Sequence, residues 1–323
     1  MPTLARRSAS APGAYADILD AIGHTPMVEL PRLAPHEGVR LFAKLEGQNP
    51  TGSVKDRIAL AMLLDARQSG VLQAGQAILE PSSGNTGISL AMIGARLGHP
   101  VRIVMPDNTT PERSQLLRLF GAEIVLSPGA EGSNGAVRLA QSLADADSSL
   151  FMPYQYGNQA NPRAHETTTG PEILAQVPEV DVFVAGLGTG GTLTGVGRAL
   201  KAARPSVRVV AAEPLPGELV QGLRSLDEGF VPPVLDESVL DDKYLVDNRD
   251  AALGVRRLLL EEGIFAGLSS GAALAVAVRV ARDLPSGNVV VLLADAGWKY
   301  LSTDLWTRDL DELEDELEGS LLW

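Results

Sequence analysis

The sequence predicts an α/β protein with open, mostly parallel sheets, arranged as two domains that share a cleft. Two observations carry the class. Short apolar, β-branched runs recur from about Tyr15 onward, and longer segments with helical periodicity lie between them. A third observation carries the division. The segment MPYQYGNQANPRAHETTTGPE, 152–172, is rich in polar and turn residues and separates two such series, so it reads as the crossing between domains.

In chain order, the first series of strands is LFAKLE (41–46), QAILEP (76–81), VRIVMP (101–106) and AEIVLS (122–127). The second is DVFVAG (181–186), VRVVAAEP (207–214) and NVVVLLAD (288–295). Each run is almost continuously apolar, as strands covered on both faces are. The intervening segments ISLAMIGARLG (88–98), PERSQLLRLFG (111–121), TLTGVGRALKAARP (192–205) and GAALAVAVRVARDLP (271–285) close on Gly or Pro, the usual helix stops. Residues 1–14 read as a flexible arm. Arg6 and Arg7 would suit an export signal, but Ser, Ala, Pro and Gly follow them where an apolar stretch should stand. Residues 309–323 read as an acidic amphipathic tail, with Leu310, Leu313 and Leu317 on one helical face.

Composition narrows the function. A formal charge of −13 and the lack of a basic patch argue against a nucleic-acid partner. No apolar run is long enough to span a membrane. With no cysteine, disulfides, thiolate metal sites and a cysteine nucleophile are excluded, and the chain fits a reducing cytoplasm. No metal site is expected.

In open α/β sheets ligands sit where strands lead into helix amino termini. Gly186, Gly188 and Gly191 in DVFVAGLGTGGT fit G-x-G-x-x-G between a strand and a helix, and Glu213 closes the next strand. Taken alone, this favours a dinucleotide. Its physical content is that backbone N–H groups and a helix terminus can cradle a phosphate, of NAD or of another cofactor. In SSGNTG, Ser82, Ser83, Asn85 and Thr86 crowd a second helix start. One cap needs one such residue, so the cluster suits a carboxylate better than capping. Ser269 and Ser270 open a third helix, where cap and ligand are not separable locally.

Only five lysines occur: Lys44, Lys55, Lys201, Lys243 and Lys299. Lys55 follows a Pro-Gly turn at a helix start, a place that disfavours a cation. A lowered pKa there would suit an amine that attacks an aldehyde. The plain alternative is a solvated lysine balanced by Asp56.

K-x-E followed by NPTGSVKDR, then SSGNTG, YQYGNQAN, GTGGT and the Ser269 turn, in this order from about Tyr15 to Thr303, strongly resembles the cysteine synthase family. These are fold-type II enzymes of pyridoxal 5'-phosphate (PLP), of the tryptophan synthase β-subunit class, with PLP in the cleft between the domains. The resemblance implies that Lys55 carries PLP as a Schiff base and then serves as general base, and that Asn85 meets the ring hydroxyl. Gly188, Thr189, Gly190, Gly191 and Thr192 hold the phosphate, and Ser269 faces the pyridine nitrogen. Ser82, Ser83, Thr86 and Gln155 meet the substrate carboxylate, and Glu213 becomes a structural strand end. The implied larger domain spans 15–48 and 159–308, and the smaller spans 49–158. GHTPMVEL departs from the family's G-N-T-P, with His24 in the Asn place.

The resemblance implies β-replacement on an O-activated serine through an aminoacrylate, giving L-cysteine, in a cytoplasmic homodimer. QGLRSLDEGFVPPVLD, 221–236, is similar to the O-phosphoserine-dependent branch, where an arginine, here Arg224, meets the substrate phosphate. A guanidinium matches a phosphate and is wasted on an acetyl ester. The alternatives are a surface pair of Arg224 with Asp227, an O-acetylserine sulfhydrylase using sulfide and, more remotely, a cystathionine β-synthase. In that branch a thiocarboxylated carrier protein donates sulfur and the tail, here ending Leu321, Leu322 and Trp323, enters the site. An ordinary docked terminal helix is the other reading of that tail.

Overall fold

The computed structural model describes residues 14–82, 84–218 and 220–309. Ser83, the arm through Gly13, and the tail with Leu310, Leu313, Leu317 and its Leu321–Trp323 end lie outside the described residues. Among the described residues no helix is long and apolar enough to cross a membrane.

The strands are β1 (Met27–Glu29), β2 (Val39–Leu45), β3 (Ala77–Pro81), β4 (Val101–Pro106) and β5 (Glu123–Ser127). They continue with β6 (Leu150–Phe151), β7 (Val180–Gly186), β8 (Arg208–Pro214), β9 (Asp242–Val246) and β10 (Gly287–Leu293). They form a six-stranded sheet in the order β1-β2-β10-β7-β8-β9 and a four-stranded sheet in the order β5-β4-β3-β6. Every pairing is parallel except β1 with β2. The fold is therefore α/β with two parallel-rich sheets, as the alternation in the sequence predicts.

The helices are α1 (Lys55–Gln68), α2 (Asn85–Leu97), α3 (Pro111–Leu119), α4 (Gly132–Ala146), α5 (Ala160–Ala164), α6 (Gly170–Gln176), α7 (Gly191–Ala203), α8 (Asn248–Glu262) and α9 (Leu268–Asp283). They cover both faces of both sheets, which explains the continuous apolar runs. In β10, Val289 and Val291 point into the core under α8 and α9, while Val290 and Leu292 point into the core under α6 and α7. Val290 stands in register between Phe42 of β2 and Phe183 of β7. Each such fully buried side chain contributes about 1.5–3 kcal/mol. In the smaller sheet α1, α2 and α3 cover one face and α4 the other.

The segment 152–172 runs from β6 of the smaller sheet toward β7 of the larger, and α5, a π-helical turn His165–Thr169 and the start of α6 fill its second half. Its small and turn-type residues serve close packing. A Cβ on Gly195 of α7 would strike the Pro162 carbonyl, and one on Gly170 would strike Ala199. Glycine lets the helix backbones approach, so the composition records proximity rather than looseness.

A buried ionic cluster joins β2, α1 and α6. Arg57 pairs with Glu46 and Glu172, each at 2.7 Å, and Lys44 pairs with Glu172 at 2.7 Å while donating to the Thr25 carbonyl. Burial opposes ionisation of Glu172, but hydrogen bonds and charge from Arg57, with Lys44, outweigh it and bring the pKa down to about 2. His24 sits beside this cluster with φ 52°, its N–H donating to Glu172 at 3.0 Å. The left-handed backbone explains why Asn would suit the place and why His, also tolerant of it, can stand there.

Candidate active site

Three strand-to-helix or loop-to-helix turns and the start of α1 converge on one cleft of about 330 Å³. Lys55, Ser82, Asn85, Thr86, Gln155, Gly188, Thr189, Gly190, Thr192, Arg224 and Ser269 all line it. Gly191 does not line it, but begins α7 directly behind Gly190.

The glycine turn between β7 and α7 has no room for side chains. Gly190 has φ 83°, and a Cβ there would lie 2.7 Å from Leu235. A Cβ on Gly188 would lie 2.8 Å from the Gly222 carbonyl, and one on Gly191 would run into Asn161 Oδ1. Asn161, fully buried, donates from Nδ2 to the Gln155 carbonyl at 2.9 Å and to Thr189 Oγ1 at 3.2 Å. It thereby ties the glycine turn to the segment carrying Gln155. Thr192 Oγ1 lies 3.2 Å from His165 Nε2, and burial holds His165 well below the usual imidazole pKa, hence neutral.

At the second turn the side chains divide the labour. Ser82 Oγ accepts from Gly87 N at 3.0 Å and so performs the capping, while α2 itself begins after Gly84. Thr86 Oγ1 donates to Gln155 Oε1 at 2.7 Å. Asn85 donates from Nδ2 to Asp295 and accepts at Oδ1 from Lys299. Below the turn, Glu80 is fully buried and accepts from the N–H groups of Tyr154 at 2.8 Å and Gln155 at 3.0 Å. Burial lifts its pKa to about 7 against those two bonds. Tyr154 holds φ 54°, a left-handed turn that aims the next residue, Gln155, at the cleft.

Ser269 is the second residue of α9, behind a Gly267 cap, and makes no capping bond, so the capping alternative fails. It is 7% exposed and lines the cleft. Lys55 is half-buried at the first position of α1, and its Nζ has no hydrogen bond or ion pair among the described residues. Desolvation lowers its pKa, opposed by Asp295 and Glu46. The solvated Lys55–Asp56 pair is not formed. Asp56 turns inward to Thr51 N–H at 2.8 Å and to the hydroxyls of Thr51 and Ser89. The other lysines are committed: Lys44 to Glu172, Lys201 to Asp241, Lys243 to Glu213 and Lys299 to Asn85.

Arg224 is likewise not paired with Asp227 among the described residues. Its guanidinium lies 5.4 Å from the Tyr156 ring and 5.0 Å from the Phe230 ring. Its backbone N–H donates to the Leu187 carbonyl at 2.8 Å. Glu213, at the end of β8, accepts from Leu226 N–H at 2.6 Å and Ser225 Oγ at 3.3 Å, so it pins this loop. Sequence reasoning missed Glu80, Asn161, Asp295 and Lys299. The scarcity of lysine marked Lys299, but nothing local showed that it would be buried.

These residues fit PLP. A desolvated, unpartnered lysine amine suits an aldehyde, a glycine turn with no room for side chains suits a phosphate, and a neutral Ser269 hydroxyl suits a ring nitrogen. Fold and cleft together define an α/β enzyme that carries a phosphorylated aldehyde cofactor between two sheets. The family model described as pyridoxal-phosphate dependent enzyme matches residues 18–295, and the chain belongs to that family, with PLP as cofactor. The probable cysteine synthase of Bacillus subtilis (strain 168) is 45% identical over 304 residues, 90% of this chain and 98% of the relative. Among solved structures, O-ureido-L-serine synthase matches with TM-score 0.86 at 45% identity, over 91% of this chain and 95% of its own. The cysteine synthase of Entamoeba histolytica matches with TM-score 0.86 at 33% identity, over 97% and 99%.

Proposed function

We propose that this enzyme forms L-cysteine by replacing the β-substituent of O-phospho-L-serine with sulfur. PLP, when bound, supplies the sink for the electrons left at Cα. Lys55 holds the cofactor and, as a neutral amine favoured by its desolvation, takes the Cα proton. Ser82, Ser83, Thr86 and Gln155, with the N–H groups at the start of α2, hold the substrate carboxylate. Gly188 to Thr192 hold the cofactor phosphate, Asn85 the ring hydroxyl and Ser269 the ring nitrogen. A hydroxyl at Ser269, unlike a carboxylate, would leave the ring nitrogen without a counter-charge, which suits loss of the β-substituent. We further assign a cytoplasmic homodimer and a thiocarboxylated carrier protein as sulfur donor, on the resemblance of the 221–236 loop to the O-phosphoserine-dependent branch.

The observation that carries the substrate is Arg224: a guanidinium in the cleft wall, within cation–π reach of both the Tyr156 and Phe230 rings and with no carboxylate partner among the described side chains. Of the acidic residues lining the cleft, Glu218 is engaged by Asn248 and Glu131 by Arg138. The test is a visible-absorbance titration of the PLP-loaded protein with O-phospho-L-serine and with O-acetyl-L-serine. Losing one charge-assisted contact of about 2 kcal/mol should weaken the O-phosphoserine response of Arg224→Ala about 30-fold while leaving that of O-acetylserine within about threefold. A wild-type preference for O-acetylserine would replace this reading with an O-acetylserine sulfhydrylase.

A further inference from the structure

Asn85 stands between opposite charges. Its Nδ2 donates to Asp295 Oδ2 at 2.7 Å, and its Oδ1 accepts from Lys299 Nζ at 2.6 Å. A carboxylate can only accept and an ammonium can only donate, so the two charges dictate which end of the amide faces which way. Neutral neighbours such as a hydroxyl would accept either orientation. After these two bonds the amide nitrogen retains one N–H.

Both charges are themselves held in place. Lys299 is fully buried, donates also to the Gly52 carbonyl at 3.0 Å and lies 5.1 Å from the Trp298 ring. Asp295 accepts from the Tyr300 hydroxyl at 2.7 Å, and its Oδ1 is buried without a hydrogen bond among the described residues. The surrounding backbone bonds to the turn before Lys55: Val54 N–H donates to the Ala294 carbonyl at 2.8 Å, and Ala296 N–H to the Gly52 carbonyl at 3.1 Å. One short segment, 294–300, thus grips both the Lys55 turn and the Asn85 amide. Buried charges are unfavourable unless well bonded, and a core of apolar residues would stabilise as well. Their placement on a single cleft amide therefore calls for a role at the cleft.

We propose that Asp295 and Lys299 are positioning residues that fix the Asn85 amide with its free N–H available to the oxygen of the cofactor ring. This rests on the reading that Asn85 meets the cofactor. The experiment measures PLP affinity, by equilibrium dialysis against the full-length protein stripped of cofactor, for Asn85→Ala, Lys299→Met, the double variant and Lys299→Arg. Asn85→Ala and Lys299→Met should each weaken PLP about tenfold, and the double variant should bind within about twofold of Asn85→Ala, because the effect of Lys299 passes through the amide. Lys299→Arg, which still only donates, should recover most of the affinity. Wild-type affinity in Lys299→Met, or a double variant about a hundredfold weaker than wild type, overturns the coupling. Unchanged affinity in Asn85→Ala overturns instead the placement of Asn85 on the cofactor. Should Lys299→Met fail to fold by circular dichroism, Asp295→Asn, nearly isosteric and able to donate, goes through the same cycle with the same outcomes.

Discussion

Replacing Glu80 by Gln should flatten the fall in stability between weakly acidic and weakly alkaline pH. The carboxyl group is fully buried beneath the turn that leads into α2, with a pKa raised from 4.5 to about 7 by desolvation. Below pH 4.5 it is neutral whether the chain is folded or not. Between the two values the folded chain retains a proton that the unfolded chain has lost, so stability drops as pH rises, and above about 7 the loss is complete. At about 1.4 kcal/mol per pH unit, the loss attributable to this one group between pH 5 and pH 8 is about 2.5 kcal/mol. The Gln variant gives up that proton linkage together with one of the two acceptors that serve Tyr154 and Gln155 N–H. Urea unfolding of cofactor-free protein at the two pH values measures the difference. Wild type should lose about 2.5 kcal/mol more than Glu80→Gln across this interval. Equal slopes for the two proteins would show that Glu80 does not titrate there and that the desolvation argument is wrong.

Three further outcomes are expected. Lys55→Ala should keep its far-UV circular dichroism and lose the visible absorbance of bound PLP, since none of the other lysines is both unpartnered and at the cleft. Gly191→Ala should destabilise by about 1–3 kcal/mol in urea unfolding, because Asn161 is held by Gln155 and Thr189 and cannot yield to a methyl group. Glu46→Ala leaves Arg57 buried with Glu172 as its remaining carboxylate, so a loss near the low end of the 3–5 kcal/mol typical of a broken buried pair, about 3 kcal/mol, is expected in the same assay.

Most of the strands legible in the sequence are covered on both faces, such as VRIVMP, which forms β4 from Val101 to Pro106; AEIVLS, which forms the edge strand β5, is legible because an apolar residue, Leu126, stands at an outward position. β9, DKYLV, escaped notice because it is an edge strand with Lys243 and Leu245 facing outward, and so lacks a continuous apolar run. The site divides along the same physical line. Lys55, the glycine turn and SSGNTG announce themselves because backbone conformation and side-chain chemistry coincide over a few residues. Asn161 and Lys299 act through partners that only folding brings near: Lys299 reaches Asn85 across 214 positions. No local pattern distinguishes a lysine bound for solvent from one bound for a buried amide. Arg224 lies between these cases, since its loop was visible but the rings of Tyr156 and Phe230 that frame it were not.

The attachment of the Arg224 loop has an evolutionary consequence. Lys55 and Ser269 are seated on long helices, whereas Arg224 rides on a segment tethered by the carboxylate of Glu213 and by one backbone bond to Leu187. That segment can be lengthened, shortened or rewritten on either side of those tethers without disturbing α1 and α9. On the proposed reading of Arg224 as the leaving-group contact, that preference is a replaceable cassette: a lineage could change the ester it accepts by editing this one segment while inheriting the reaction intact.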